Sequence, residues 1–197
     1  TTSRITMTGG TVSNGTSTNS GTGTGGGNFY INNGYLTVNG GVISGGKAPN
    51  AYGGNIYTKT GGTSTANKVV INDDGNPDTP KPLITGGVSK NSGGNIYING
   101  DRYNDKWSFI TLGDCEITNG DSTSYAYGDD ISLQHSGRLT LLSNFSATAD
   151  IYIPTCCIPA VRLGGAVDAT AVITEGEFPG TLVMEQFTNM YQLMGKA

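Results

Sequence analysis

Gly53-Gly54-Asn55-Ile56-Tyr57 returns unchanged as Gly93-Gly94-Asn95-Ile96-Tyr97 and, with one substitution, as Gly26-Gly27-Asn28-Phe29-Tyr30. Weaker copies are Gly128-Asp129-Asp130-Ile131-Ser132 and Thr148-Ala149-Asp150-Ile151-Tyr152. The five copies start 27, 40, 35 and 20 residues apart. Each reads as a short strand, with apolar and polar positions alternating behind a glycine or aspartate turn. A strand of this length cannot bury a core alone. Copies stacked in parallel can, because each strand pairs with its equivalent and the inward Ile and Phe side chains join into one column.

A second strand signal alternates with the first. It runs Ile5-Thr6-Met7-Thr8-Gly9-Gly10, Leu36-Thr37-Val38-Asn39-Gly40-Gly41, Leu83-Ile84-Thr85-Gly86-Gly87 and Ile110-Thr111-Leu112-Gly113-Asp114, with Leu139-Thr140-Leu141-Leu142 keeping only the strand half. Glycine pairs suit corners, where positive φ or close backbone approach leaves no room for a Cβ. The Asn-Gly pairs at Asn14, Asn33, Asn39, Asn99 and Asn119 read the same way.

Together these signals predict an all-β chain, a right-handed single-stranded parallel β-helix of about five or six rungs over residues 1–163. At roughly 4.8 Å per rung the column would stand about 25–30 Å tall. An antiparallel sandwich also uses many short strands, but the copies recur in one order and not as hairpins. From about Gly164 the repeat fades, and residues 164–197 read as an irregular C-terminal cap or the start of a following segment. Thr181–Met194 fits either a capping helix, on the spacing of Val183, Phe187, Met190, Tyr191 and Met194, or two short strands at Thr181–Met184 and Tyr191–Met194. Either would cover the last strand edges.

Composition narrows the function classes. The 197 residues include 32 Gly and only 13% charged side chains, about half the usual charged fraction. Ten Tyr and five Phe argue against disorder. The net charge is −4 with no Lys/Arg cluster along the chain, which speaks against a nucleic-acid partner or an anionic membrane surface. No apolar run is long enough to span a bilayer as a helix. Thr1 falls inside a repeat, so the expectation is a mature or excised piece of a longer protein.

The run Leu36-Thr37-Val38-Asn39-Gly40-Gly41-Val42-Ile43-Ser44-Gly45-Gly46, followed by Gly53-Gly54-Asn55-Ile56-Tyr57, resembles repeats in large surface-anchored proteins of Gram-positive gut and rumen bacteria. It is also similar to the Gly-Gly-Ala-Ile repeats of polymorphic autotransporter adhesins. The resemblance covers roughly residues 5–153. It implies a bacterial extracellular or cell-surface setting and a non-enzymatic adhesin or stalk segment, binding a host or environmental glycan or surface protein or spacing other domains. No catalytic residue comes with it.

Candidate sites follow from the residues themselves. Gly128-Asp129-Asp130-Ile131 with His135 and Arg138 has the ingredients of a pectin-type β-helix hydrolase or lyase, the alternative to a binding module. The pair also fills the Gly-Asn slot of the repeat, which explains it without catalysis. Asn28, Asn55 and Asn95 recur at one position and predict an internal amide ladder. Tyr30, Tyr57, Tyr97 and Tyr152 form a series that reads as an exposed sugar-stacking strip or as scaffold stacking. Two insertions break the period, at Asn72–Pro82 and Asn99–Trp107. In the first, Asp73, Asp74 and Asp78 would be the ligands of a Ca²⁺ ion, the only cofactor the chain suggests, or plain turn formers. In the second, Arg102, Tyr103 and Trp107 are candidate ligand contacts, or a packed loop. Cys115, Cys156 and Cys157 leave a disulfide from Cys115 to either of the others, a metal site, or buried small side chains. Thr6, Thr8, Thr37 and Thr111 do not repeat as the Thr-x-Thr array of an ice-binding face. End-to-end self-association is a third reading for a chain with an open first strand.

Overall fold

The computed structural model describes residues 3–21, 23–59, 67–100, 108–124, 128–134, 137–142, 144–145, 149–152, 161–163, 172–174 and 181–183. Among them there is no helix, and so none long and apolar enough to cross a membrane. The chain is all-β with parallel sheets.

The first sheet contains β1 (Ser3–Ser13), β3 (Gly34–Ser44), β6 (Asn67–Ile71), β7 (Leu83–Thr85), β10 (Ser108–Leu112), β11 (Glu116–Thr118), β14 (Gly137–Leu141) and β16 (Val161–Leu163). The second contains β4 (Lys47–Ala48), β8 (Val88–Ser89) and β12 (Asp121–Ser122). The third contains β2 (Phe29–Asn32), β5 (Ile56–Lys59), β9 (Ile96–Asn99), β13 (Ile131–Gln134), β15 (Ala149–Tyr152), β17 (Val172–Thr174) and β18 (Thr181–Val183). From β3 to β13 the chain visits the first, second and third sheets in constant order. Each strand pairs in parallel with its equivalent from the neighbouring circuit.

The register of the third sheet matches the repeat residue for residue. Phe29 pairs with Ile56, Ile56 with Ile96, Ile96 with Ile131, and Ile131 with Ile151. Those are the offsets of 27, 40, 35 and 20 seen in the sequence.

One alignment in the second signal is corrected. Besides β1, β3 serves two partners: Tyr35–Val38 pairs with β6, and Val42–Ser44 pairs with β7. Leu83 therefore matches Val42, and the true equivalent of Leu36 is Val69. The misreading arose because Leu83-Ile84-Thr85-Gly86-Gly87 shares its Gly-Gly ending with Leu36–Gly41. That ending belongs to a different corner, reached at Gly45-Gly46 and Gly86-Gly87. At this corner Asn14, Gly45, Gly86 and Asn119 all have φ between 55° and 63°. Only Gly, or Asn with its locally bonding side chain, adopts this left-handed region without large cost.

The core is the set of inward columns. Leu36, Val69, Ile110 and Leu139 form one, and Val38, Ile71, Leu112 and Leu141 the next, all fully buried. Each such side chain contributes about 1.5–3 kcal/mol through burial. The column opens at β1, where Ile5 is 45% exposed.

Past residue 163 parallel pairing continues from β15 to β17, and β18 then folds back antiparallel on β17. Thr181–Val183 thus adopts the strand alternative, while Tyr191–Met194 lies outside the described residues.

Candidate functional site

The Asn positions form the expected ladder. Asn28 Nδ2 donates to Asn55 Oδ1 at 2.7 Å, Asn55 Nδ2 to Asn95 Oδ1 at 2.7 Å, and Asn95 Nδ2 to Asp130 Oδ1 at 2.8 Å. Each oxygen also accepts a glycine N–H, from Gly15, Gly46, Gly87 and Gly120 in turn. Each amide nitrogen donates a second bond to a carbonyl, of Ser44, Thr85 and Thr118. These side chains hold one sheet to the corner of another, and that uses their donors and acceptors.

The glycines before them make this approach possible. Gly53 has φ +60°, and a Cβ there would strike the Ile56 carbonyl. A Cβ on Gly54 would meet the backbone of Gly94 and Val88, with no flexible side chain to give way. Asp129 takes the place of the second glycine one circuit beyond Gly94, and its Oδ1 accepts the Ser122 N–H at 3.2 Å. Asp130 is 8% exposed. Both carboxylates of the candidate acid pair are therefore engaged by backbone and ladder. His135 lies outside the described residues, and Arg138 is placed by its backbone alone.

In the tyrosine series Tyr30, Tyr57 and Tyr97 are stacked, and the burial of Tyr57 and Tyr97 corrects their ligand-binding reading. Tyr30 and Tyr57 rings lie 5.6 Å apart and 9° from parallel, and Tyr57 and Tyr97 rings 5.6 Å and 5°. Tyr57 and Tyr97 are buried. Tyr52 packs on Tyr97 at 4.4 Å, and Asn99 Nδ2 donates to the Tyr57 hydroxyl at 3.1 Å. Burial pushes the Tyr57 phenol up to about 12, with the Asn99 hydrogen bond acting against it. Tyr30, at the end of the stack, is 44% exposed beside an open depression of about 530 Å³ lined with Thr16, Ser17, Thr18 and Thr24.

In the first insertion, Asp73 Oδ1 accepts the Gly75 N–H and Asp74 Oδ1 accepts the Asn76 N–H, each at 3.0 Å. The Asp78 N–H donates to Asn76 Oδ1. These are turn-forming bonds of short polar side chains. Among the described residues no three His, Cys, Asp or Glu groups come together as candidate metal ligands. Arg102, Tyr103 and Trp107 of the second insertion lie outside the described residues. So do Cys156 and Cys157. Cys115 is a buried free thiol in the core, its pKa pushed up to about 12, chiefly by burial.

Sequence reasoning missed two arrangements. Asn72 Oδ1 accepts the Asp114 N–H at 3.0 Å and Asn144 Nδ2 at 2.8 Å. A Cβ on Gly113 would strike that Asn72 oxygen. The other is a solvent-facing series on the first sheet, where Arg4 pairs with Tyr35, Tyr35 with Lys68, and Lys68 with Phe109. The signal was present, but it needs Lys68–Ile71 as the third strand copy, a position the misaligned Leu83 copy had taken.

Comparison with protein-family models, curated proteins and solved structures finds no match to this chain.

Proposed function

We propose that the chain is a right-handed parallel β-helix of a bacterial cell-surface protein, a non-enzymatic adhesin or stalk segment. Its outward faces bind a glycan or protein, or its length spaces other domains. The coiling is supported by the constant order in which the chain revisits its sheets, and the hand by the general right-handedness of parallel crossovers. The setting is supported by the resemblance of its repeats to those of surface proteins.

The observation that carries the non-enzymatic reading is the bond from Asn95 Nδ2 to Asp130 Oδ1. It makes the best acid candidate the fourth member of a structural ladder. The test is incubation of the full chain with polygalacturonate and with a neutral β-glucan, following newly formed chain ends. The expected result is none above the blank. Release of chain ends that disappears in Asp130→Asn, a substitution that keeps the ladder's acceptor, would overturn this reading in favour of a carbohydrate-active enzyme.

A further inference from the structure

The outer face of the first sheet carries a pattern that stacking the repeats does not require. At one register position Arg4, Tyr35, Lys68 and Phe109 occupy β1, β3, β6 and β10, and the register passes next to Arg138 on β14. Cation and aromatic alternate. The Arg4 guanidinium carbon stands 4.7 Å from the Tyr35 ring centroid, a contact that orients the cation. Arg4 and Lys68 are exposed, and Tyr35 and Phe109 half-buried. The neighbouring outward position holds Thr6, Thr37, Val70, Thr111 and Thr140. A shallow depression of about 320 Å³ is lined by Arg4, Thr6, Tyr35, Thr37, Lys68 and Val70. Neither column contains a carboxylate, in a chain whose 15 acids outnumber its 11 bases.

We propose that this face binds an acidic polysaccharide extended along the stack, with one carboxylate or sulfate on every second sugar. This rests on reading the chain as a binding module. Neighbouring strands lie about 4.8 Å apart, so like residues recur about every 9.6 Å. A sugar in an extended β-linked chain advances by nearly one strand spacing, which puts alternate sugars over Arg4 and Lys68. The guanidinium and ammonium take the anionic groups, the former through paired N–H donors. Tyr35 holds the guanidinium in place. The Phe109 ring offers an apolar platform to an uncharged sugar, and the threonine hydroxyls give and accept hydrogen bonds along the flank. A nucleic-acid duplex fits less well, because each of its strands carries a phosphate for every ~3.4 Å of helix axis.

The test is calorimetric titration of the full chain with hyaluronan, whose carboxylates stand on alternate sugars, with a neutral β-glucan, and with single-stranded DNA. Each is run at low and physiological salt. Hyaluronan is expected to bind tightest and to weaken with salt. The double variant Arg4→Gln, Lys68→Gln is expected to weaken it about tenfold or more, with an unchanged melting temperature because both side chains are exposed. Tyr35→Ala, which frees the guanidinium, is expected to weaken it less. Equal affinity for the neutral glucan, tighter binding of DNA, or a folded double variant that binds hyaluronan like the wild type would overturn the proposal. Glycan binding that survives the double variant removes this face while leaving the module reading intact. Shortening of hyaluronan during titration, read by size exclusion, would instead remove the module reading itself.

Discussion

Asn95 donates a hydrogen bond to Asp130 at 2.8 Å, and there the amide ladder changes character. A carboxylate accepts but cannot hand a proton onward. Asp130 Oδ1 also accepts the Gly120 N–H at 2.9 Å, so its acceptor role equals that of the asparagines before it.

Asp130→Asn should therefore be nearly silent in stability. The asparagine oxygen keeps both bonds, and a formal charge leaves a site that is 8% exposed. The expected change is within about 1 kcal/mol, because both acceptor bonds at Oδ1 are kept. Asp130→Ala leaves the Asn95 amide and the Gly120 N–H each short of an acceptor, and should cost about 2 kcal/mol. Urea midpoints of the two variants measure the difference, and equal losses would show that the ladder contact is not what Asp130 supplies.

Asn55 sits in the middle of the ladder and is fully buried. Removing it strands the Gly46 N–H, leaves the Thr85 carbonyl with the Gly45 N–H alone, and takes one partner each from Asn28 and Asn95. Because these groups polarise one another in a dry setting, Asn55→Ala should cost about 3 kcal/mol or more. A urea midpoint within error of the wild type would contradict the ladder.

Gly54→Ala tests the close approach of adjacent circuits. The new methyl would meet backbone atoms of Gly94 and Val88, which can give way only if the sheets shift. The expected loss is about 3 kcal/mol or greater, or failure to fold. Gly9→Ala is the control, since a Cβ there meets nothing within 4 Å. Its effect should stay within about 0.5 kcal/mol, as for open surface positions. Similar melting temperatures for the two variants would refute the packing argument.

How far the sequence exposed this arrangement differs by sheet. The third sheet was legible because its repeat combines three constraints at adjacent positions: a left-handed glycine at Gly53, a Cβ-free approach at Gly54, and the ladder amide at Asn55. Gly-Gly-Asn satisfies all three at once, so the motif recurs from Gly26 and Gly93 and aligns itself, while Gly128-Asp129-Asp130 keeps the left-handed glycine and the ladder acceptor. The first sheet was less legible because its strands ask only for inward Leu, Ile or Val. Val69 and Leu83 satisfy that equally, and the glycine pair after Leu83 tipped the alignment the wrong way. The face of Arg4, Tyr35, Lys68 and Phe109 was hidden for the same reason. Its members stand 31, 33 and 41 residues apart and join only through correct register. The tyrosine strip failed differently. Alternation places Tyr57 and Tyr97 away from the core column, but it cannot reveal that Tyr52 and Asn99 pack over that face.

Burial of Tyr57 and Cys115 makes stability fall at alkaline pH. An unfolded thiol releases its proton around 9 and an unfolded phenol around 10, whereas burial holds both protons to about 12 in the folded chain. Between those values the unfolded state binds fewer protons than the folded one, so raising the pH favours unfolding. Their contributions are complete below pH 9 and are lost progressively as the pH climbs towards 12. Urea midpoints measured from pH 7 to 11 should be flat at first and then decline. Tyr57→Phe removes the phenol while keeping the stacked ring, and should flatten the part of the decline above pH 10. Cys115→Ala should flatten the part that begins near pH 9. A wild-type midpoint that stays level to pH 11, or declines that neither substitution changes, would mean that these two groups are not held protonated by the folded core.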